Sequence, residues 1–224
     1  MDKPTPYGLA PYLIDRIMQK RGRLHVFDHF NAAETALIVI DMQRYYLGDI
    51  PETQRIIPAI NRLAAGFRER GGPVVWVTTT AGEDGKSLWP LYHESFFKPE
   101  GGARHRDGLT AGTEGHQIHP DMDVRDGDWF AGKSRFSAFL PGKSELPGML
   151  AAAEIKNVVI TGVVTNFCCE TSARDAMMLD YRVTMIYDAT AARYEEDHQL
   201  GIASVFVNFC DVRTADELLD GVLV

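Results

Sequence analysis

Three stretches of this chain are apolar or β-branched at nearly every position instead of alternating: Ala36-Leu-Ile-Val-Ile40 ending on Asp41, Val74-Val-Trp-Val-Thr-Thr-Thr80, and Val158-Val-Ile-Thr-Gly-Val-Val164. Such runs predict strands buried on both faces, as in a parallel sheet. Residues 128–133 are a short strand candidate and residues 183–189 are strand-like. Between the first two strands, apolar residues at Ile60, Leu63, Ala64 and Phe67 have helical spacing, opened by Pro58 and closed by Gly71-Gly72. Further helices are predicted over 144–153, 168–179, 195–208 and 214–221, with a short one over 10–19 ahead of the first strand. The order βαβ, long loop, βαβαβα predicts an α/β fold: a doubly wound, mostly parallel sheet of about six strands with helices on both faces. Residues 81–122, rich in Gly, His and Pro, read as an excursion of the length that is usually functional or lid-like. Residues 1–33 carry no strand pattern and are expected to form an N-terminal arm, with 34–224 as the single domain.

Composition narrows the function. A chain of 224 residues with 45% hydrophobic content supports one substantial core. A net charge of -8 argues against nucleic acid or an anionic membrane surface as partner. No apolar stretch approaches the roughly 20 residues that span a bilayer, and residues 1–15 lack a secretory apolar core, so a cytoplasmic protein is expected. The three cysteines, Cys168, Cys169 and Cys210, are odd in number with two adjacent, which favours free thiols over a disulfide framework. His116 and His119 form an HxxH pair beside Gly115 and Pro120; a solvated loop explains them better than a metal site. Neither metal nor cofactor is expected.

In open parallel sheets ligands gather beyond the carboxyl ends of the strands. Asp41 ends the first strand, Lys133 ends the third, and Cys168 lies four residues past the fourth at the start of a helix. Each alone has an ordinary explanation as a loop cap, a solvated cation or a small buried hydrophobe. Together, an acid, an ammonium and a thiol at equivalent strand ends can converge on one crevice. A helix N-terminus and a neighbouring lysine would lower the thiol pKa, and a carboxylate could shuttle its proton. Gly127-Asp-Trp-Phe-Ala-Gly-Lys-Ser134 matches the Walker A expression literally, but the polar segment 121–126 before it is not a buried strand, and Trp129 and Phe130 favour a strand over a phosphate cradle.

These residues resemble the isochorismatase-like cysteine hydrolase superfamily, which includes N-carbamoylsarcosine amidases, ureidoacrylate amidohydrolases, nicotinamidases and isochorismatases. The likeness rests on Ala36-Leu-Ile-Val-Ile-Asp-Met-Gln43, Lys133-Ser-Arg-Phe-Ser-Ala-Phe139 and Thr161-Gly-Val-Val-Thr-Asn-Phe-Cys-Cys-Glu-Thr-Ser-Ala-Arg-Asp-Ala176. It implies Asp41 as general acid/base, Lys133 as electrostatic partner and Cys168 as nucleophile. It also implies a cis peptide between Val163 and Val164 and an oxyanion hole from the Val164 and Cys168 amides. A homodimer or tetramer acting on a small amide or ureido substrate follows from the same resemblance. The nicotinamidase metal motif Asp-x-His is missing from Ala81-Gly-Glu-Asp-Gly-Lys86, and Cys168 leans toward amide cleavage. The Asp-Met-Gln-Arg-Tyr-Tyr46 segment keeps isochorismatase-type vinyl-ether hydrolysis as the alternative, with a non-catalytic interaction module below it. Tyr45, Tyr46, Trp76, Trp89 and Phe136 are candidates to wall the pocket, Arg44 or Arg135 to meet a substrate carboxylate, and Arg174 and Asp175 to serve structure.

Overall fold

The computed structural model describes residues 5–224. Helix α1 (Pro11–Arg21) starts on a proline and stops at Gly22, whose φ of 71° gives the left-handed cap that few other residues adopt. It is followed by β1 (Thr35–Ile40), α2 (Arg44–Asp49), α3 (Ile57–Glu69) and β2 (Val74–Thr79). The excursion after β2 carries secondary structure of its own: a hairpin of β3 (Gly82–Glu83) with β4 (Lys86–Ser87), then α4 (Pro90–Ser95) and α5 (Pro99–Gly108). The chain continues through β5 (Trp129–Lys133), α6 (Leu146–Ala152), β6 (Asn157–Val163), α7 (Glu170–Met178), β7 (Arg182–Ala191), α8 (Glu195–Phe206), β8 (Asp211–Arg213) and α9 (Ala215–Gly221).

Six strands form one sheet in the order β5-β2-β1-β6-β7-β8, and every pairing is parallel. Alternation along β1 splits the core in two. Ala36, Ile38 and Ile40 pack into one apolar cluster with Ile17 of α1, Leu150 of α6 and Ile202 of α8. Leu37 and Val39 pack into the other with Ile60 and Phe67 of α3 and Leu218 of α9. Helices therefore cover both faces, and each fully buried aliphatic side chain contributes about 1.5–3 kcal/mol relative to exposure.

Strand β8 escaped the sequence pattern because it has three residues and begins on a carboxylate. Asp211 is fully buried there and accepts the backbone N–H groups of Val26 at 2.8 Å and Phe27 at 2.9 Å. Phe30 donates its N–H to the Val222 carbonyl at 2.8 Å and accepts the Val224 N–H at 2.9 Å. The described part of the segment ahead of β1 is thus packed against the body of the molecule, with Leu13 and Ile17 inside the core.

The winding runs outward from β1 through β2 to β5 and restarts at β6, so a crevice opens beyond the carboxyl ends of β1 and β6. Gly162 lets the two strands approach this closely. Its φ is 104°, and a Cβ there would lie 2.0 Å from the Ile40 carbonyl oxygen, one residue before Asp41. Gly162→Ala is expected to cost about 2–4 kcal/mol from clash and backbone strain together. A thermal unfolding scan should show Tm lower by roughly 4–16 °C.

Candidate active site

Asp41 is the first residue beyond β1 and adopts φ 54°, a left-handed conformation uncommon outside glycine. Its N–H donates to the Val77 carbonyl at 2.9 Å, which fixes the turn. Lys133, the last residue of β5, is in register with Thr79 at the end of β2. Asp41 and Lys133 are 1% and 2% exposed. The lysine Nζ donates to Asp41 Oδ2 at 2.8 Å, to Thr79 Oγ1 at 2.6 Å and to the Arg135 carbonyl at 3.1 Å, and stands 3.5 Å from Cys168 Sγ. Thr79 Oγ1 in turn donates to Asp41 Oδ1 at 2.8 Å. Three ammonium protons face four acceptors, so the ammonium is shared between carboxylate and sulfur.

Cys168 sits in a π-helical turn, Thr165–Cys169, that joins β6 to α7, an irregularity often found at functional sites. The turn is braced from behind by His198 of α8, whose Nδ1 lies 2.8 Å from Thr165 Oγ1. The thiol does not have the lowered pKa expected from its cation and helix end. Burial pushes it up to about 12; Lys133 pulls it down and the Asp41 charge adds to the rise. Burial also opposes the charge on Lys133, but the Asp41 carboxylate, followed by the thiol, more than offsets this and holds its pKa above the usual value. The resting site is a thiol beside a firmly cationic lysine.

Cys168 lines a small cavity together with Tyr46, Trp89, Tyr92, Phe136 and Arg135. The Arg135 guanidinium lies 4.8 Å from the centre of the Trp89 ring. Trp76 is not part of this wall. It sits between Val75 and Val77 on β2, so the strand alternation turns it to the opposite face, where it is 1% exposed and its Nε1 donates to Asp128 Oδ2 at 2.7 Å.

The remaining sequence candidates separate. His116 Nε2 lies 2.8 Å from Thr80 Oγ1, whereas His119 Nδ1 accepts from the Asp121 N–H. Among the described residues no three His, Cys, Asp or Glu side chains gather in a metal-holding arrangement. Lys133, the lysine of the Walker-like string, is spent on the cluster above at the end of a strand. The Val163–Val164 peptide is cis. Arg174 pairs with Glu170 at 2.8 Å, bonds Ser204 and stacks 4.3 Å from the Phe209 ring centre, a helix-fastening role.

A family model described as the isochorismatase domain matches residues 35–217. The chain belongs to the isochorismatase family. Among its relatives are the ureidoacrylate amidohydrolase RutB of Cronobacter sakazakii, 29% identical over 84% of this chain and 92% of that protein, and a protein of Arabidopsis thaliana named "Probable inactive nicotinamidase At3g16190", 32% identical over 75% and 86%. The crystal structure of a cysteine hydrolase from Pseudomonas syringae pv. phaseolicola superposes with a TM-score of 0.76 at 23% identity, covering 88% of this chain and 96% of that one. It shares the fold.

Several residues of this isochorismatase-family site were not singled out by the sequence. Thr79 ends a buried strand and could have been found by the strand-end rule that found Asp41. Gln43 is fully buried and clamps Thr79, accepting its N–H at 2.8 Å and donating to its carbonyl at 3.1 Å. Tyr92, His93 and His105 come from the excursion, where no periodicity marks them.

Two histidines of the family member make its stability pH-dependent. Burial, then His93 and Lys133, lowers the His105 pKa to about 4, and burial is the leading cause of the same value for His198. Between these values and the ordinary 6.5, the unfolded chain holds protons that the folded chain does not, so stability falls as pH drops through that window. At pH 5 the loss is expected to reach at most about 2 kcal/mol per ring. Urea unfolding at pH 7 and pH 5 measures it; an unchanged midpoint would contradict the buried neutral rings.

Among the described residues, no helix is long and apolar enough to cross a membrane.

Proposed function

We propose that this protein is a cysteine-dependent hydrolase that cleaves a C–N bond of a small amide or N-carbamoyl compound through a thioester, releasing ammonia or an amine. The observation that carries this is the single buried cluster in which Lys133 Nζ reaches both Asp41 Oδ2 at 2.8 Å and Cys168 Sγ at 3.5 Å. As substrate enters, Asp41 accepts the thiol proton and the sulfur attacks the carbonyl carbon, with Lys133 balancing the negative charge throughout. The developing oxyanion lies against the Val164 and Cys168 N–H groups. Asp41 then hands its proton to the nitrogen, the C–N bond breaks and a thioester remains. Water, deprotonated by Asp41, attacks that thioester, and the sulfur leaves as thiol when the proton returns.

The name of the RutB relative supports ureido compounds as the substrate class. The cavity agrees in character, since aromatic rings on several sides suit a small planar molecule. An ammonia-release screen over ureido acids, biuret and simple amides, with isochorismate included, tests the proposal. Turnover of at least one amide or ureido compound is expected. Turnover of isochorismate alone, or activity retained in Asp41→Asn, would overturn it.

A further inference from the structure

The reactive cluster contains a fourth polar side chain to which the cleavage steps give no role. Thr79 ends β2, is buried, and borders the cavity that holds Cys168. Its Oγ1 stands between the two charges, 2.6 Å from Lys133 Nζ and 2.8 Å from Asp41 Oδ1.

The chemistry of these two neighbours fixes the direction of both contacts. An ammonium has only hydrogens to give and a carboxylate only lone pairs to receive them, so Lys133 donates to Thr79 and Thr79 donates to Asp41. The Tyr46 hydroxyl also lies within hydrogen-bond reach of Thr79. The carboxylate is the stronger acceptor of the threonine hydrogen, which leaves Tyr46 the remaining lone pair of Oγ1.

The threonine is itself held in place. Branching at Cβ restricts its χ1, and its main chain is clamped by Gln43, whose Oε1 accepts the Thr79 N–H at 2.8 Å while Nε2 donates to the Thr79 carbonyl at 3.1 Å. The same Nε2 donates to the His116 carbonyl at 2.8 Å. A reversed amide would set its NH2 against an N–H and its oxygen against two carbonyls, so the clamp has one orientation.

What the hydroxyl secures is the orientation of Asp41. Oδ2 is tethered to Lys133 and Oδ1 to Thr79. A carboxylate held at one oxygen alone can swing about its Cβ–Cγ bond; held at both, it keeps its remaining lone pairs in one place. The Cys168 thiol lies within hydrogen-bond reach of that carboxylate. In the proposed reaction Asp41 takes the thiol proton and later passes it to the departing nitrogen, and each transfer depends on the carboxylate being correctly aimed.

We infer that Thr79 is a positioning residue of this site: its hydroxyl locks the Asp41 carboxylate, so that the proton leaves sulfur and reaches nitrogen without the carboxylate turning. This rests on the amide hydrolase proposed above. Thr79 acts through Asp41 and breaks no bond, because its one hydrogen is already committed.

Two measurements test the lock. Thr79→Val keeps the branched shape and removes the hydroxyl, whereas Thr79→Ser keeps the hydroxyl and removes a methyl group. On a compound that the ammonia screen finds, Thr79→Val is expected to lower kcat by about 10²-fold with KM changed by less than about threefold, and Thr79→Ser to keep kcat within about tenfold of wild type. Equal losses in the two variants, a loss confined to KM, or a valine variant with kcat within about threefold of wild type overturns the inference. The second measurement needs neither turnover nor a folded valine variant. Proton spectra of wild type carrying ¹³C-labelled threonine are expected to show the Thr79 hydroxyl as a slowly exchanging resonance with a cross-peak to its own β-hydrogen, moved upfield in Asp41→Asn, where the acceptor is neutral. A hydroxyl that exchanges as fast as an exposed one, or is unmoved in Asp41→Asn, overturns the lock. If wild type turns over none of the amides and ureido compounds, the amidase proposal fails instead, and the hydroxyl resonance still decides whether Thr79 holds Asp41.

Discussion

Cys168→Ser is expected to reduce turnover by roughly 10⁴-fold or more while leaving the unfolding midpoint nearly unchanged. The exchange of sulfur for oxygen keeps the approximate size of a 5% exposed side chain next to Lys133, but removes the proposed nucleophile. Steady-state assay on whichever substrate the ammonia screen finds, alongside a thermal scan, separates the two effects; substantial residual activity would remove Cys168 from the chemistry. The same thiol is expected to alkylate slowly with iodoacetamide at neutral pH and faster as pH rises, because burial holds its pKa near 12 and thiolate is the reactive form. Fast labelling at pH 7 would mean that Lys133 outweighs burial after all.

Lys133→Met is expected to cost stability as well as activity. The ammonium is the cation that faces the Asp41 carboxylate, and both are almost fully buried. Removing it leaves a buried carboxylate with the Thr79 hydroxyl as its remaining side-chain donor, a loss of about 3–5 kcal/mol. For a chain of this length that is a fall in Tm of roughly 6–20 °C. The paired replacement Asp41→Leu/Lys133→Met should recover much of the stability, because two buried charges are removed together, and should recover no turnover. A double variant as unstable as the single one would show that packing, not an orphaned charge, explains the loss. By the same reasoning Asp41→Ala strands a buried ammonium, so Asp41→Asn is the better probe of the acid/base role.

The candidate groups were legible because Asp41 and Lys133 close strands and Cys168 lies just past one, and topology alone carries such positions to one edge of the sheet. Asp41, Lys133 and Cys168 needed no knowledge of side-chain packing to be placed near one another. Trp76 was misplaced because aromatic type and nearness to a strand end were weighed without the alternation of β2, which sends Trp76 away from Val75 and Val77. The thiol was misjudged for a different reason: charge neighbours can be read from sequence, but the depth of burial that overrides them cannot. The hairpin and two helices of the excursion left no trace because short, Gly- and His-rich elements are held by tertiary contacts more than by periodicity. β8, three residues long, is below the length at which any repeat is visible.

The excursion lends the cavity Trp89, Tyr92, His93 and His105, whereas the groups proposed to break the bond stand at or just past the ends of the sheet strands. Appetite is therefore written largely apart from machinery, with Tyr46, Arg135 and Phe136 completing the wall. Much of a new diet can be acquired by rewriting one contiguous cassette, residues 81–122, with the engine beneath it left as it is.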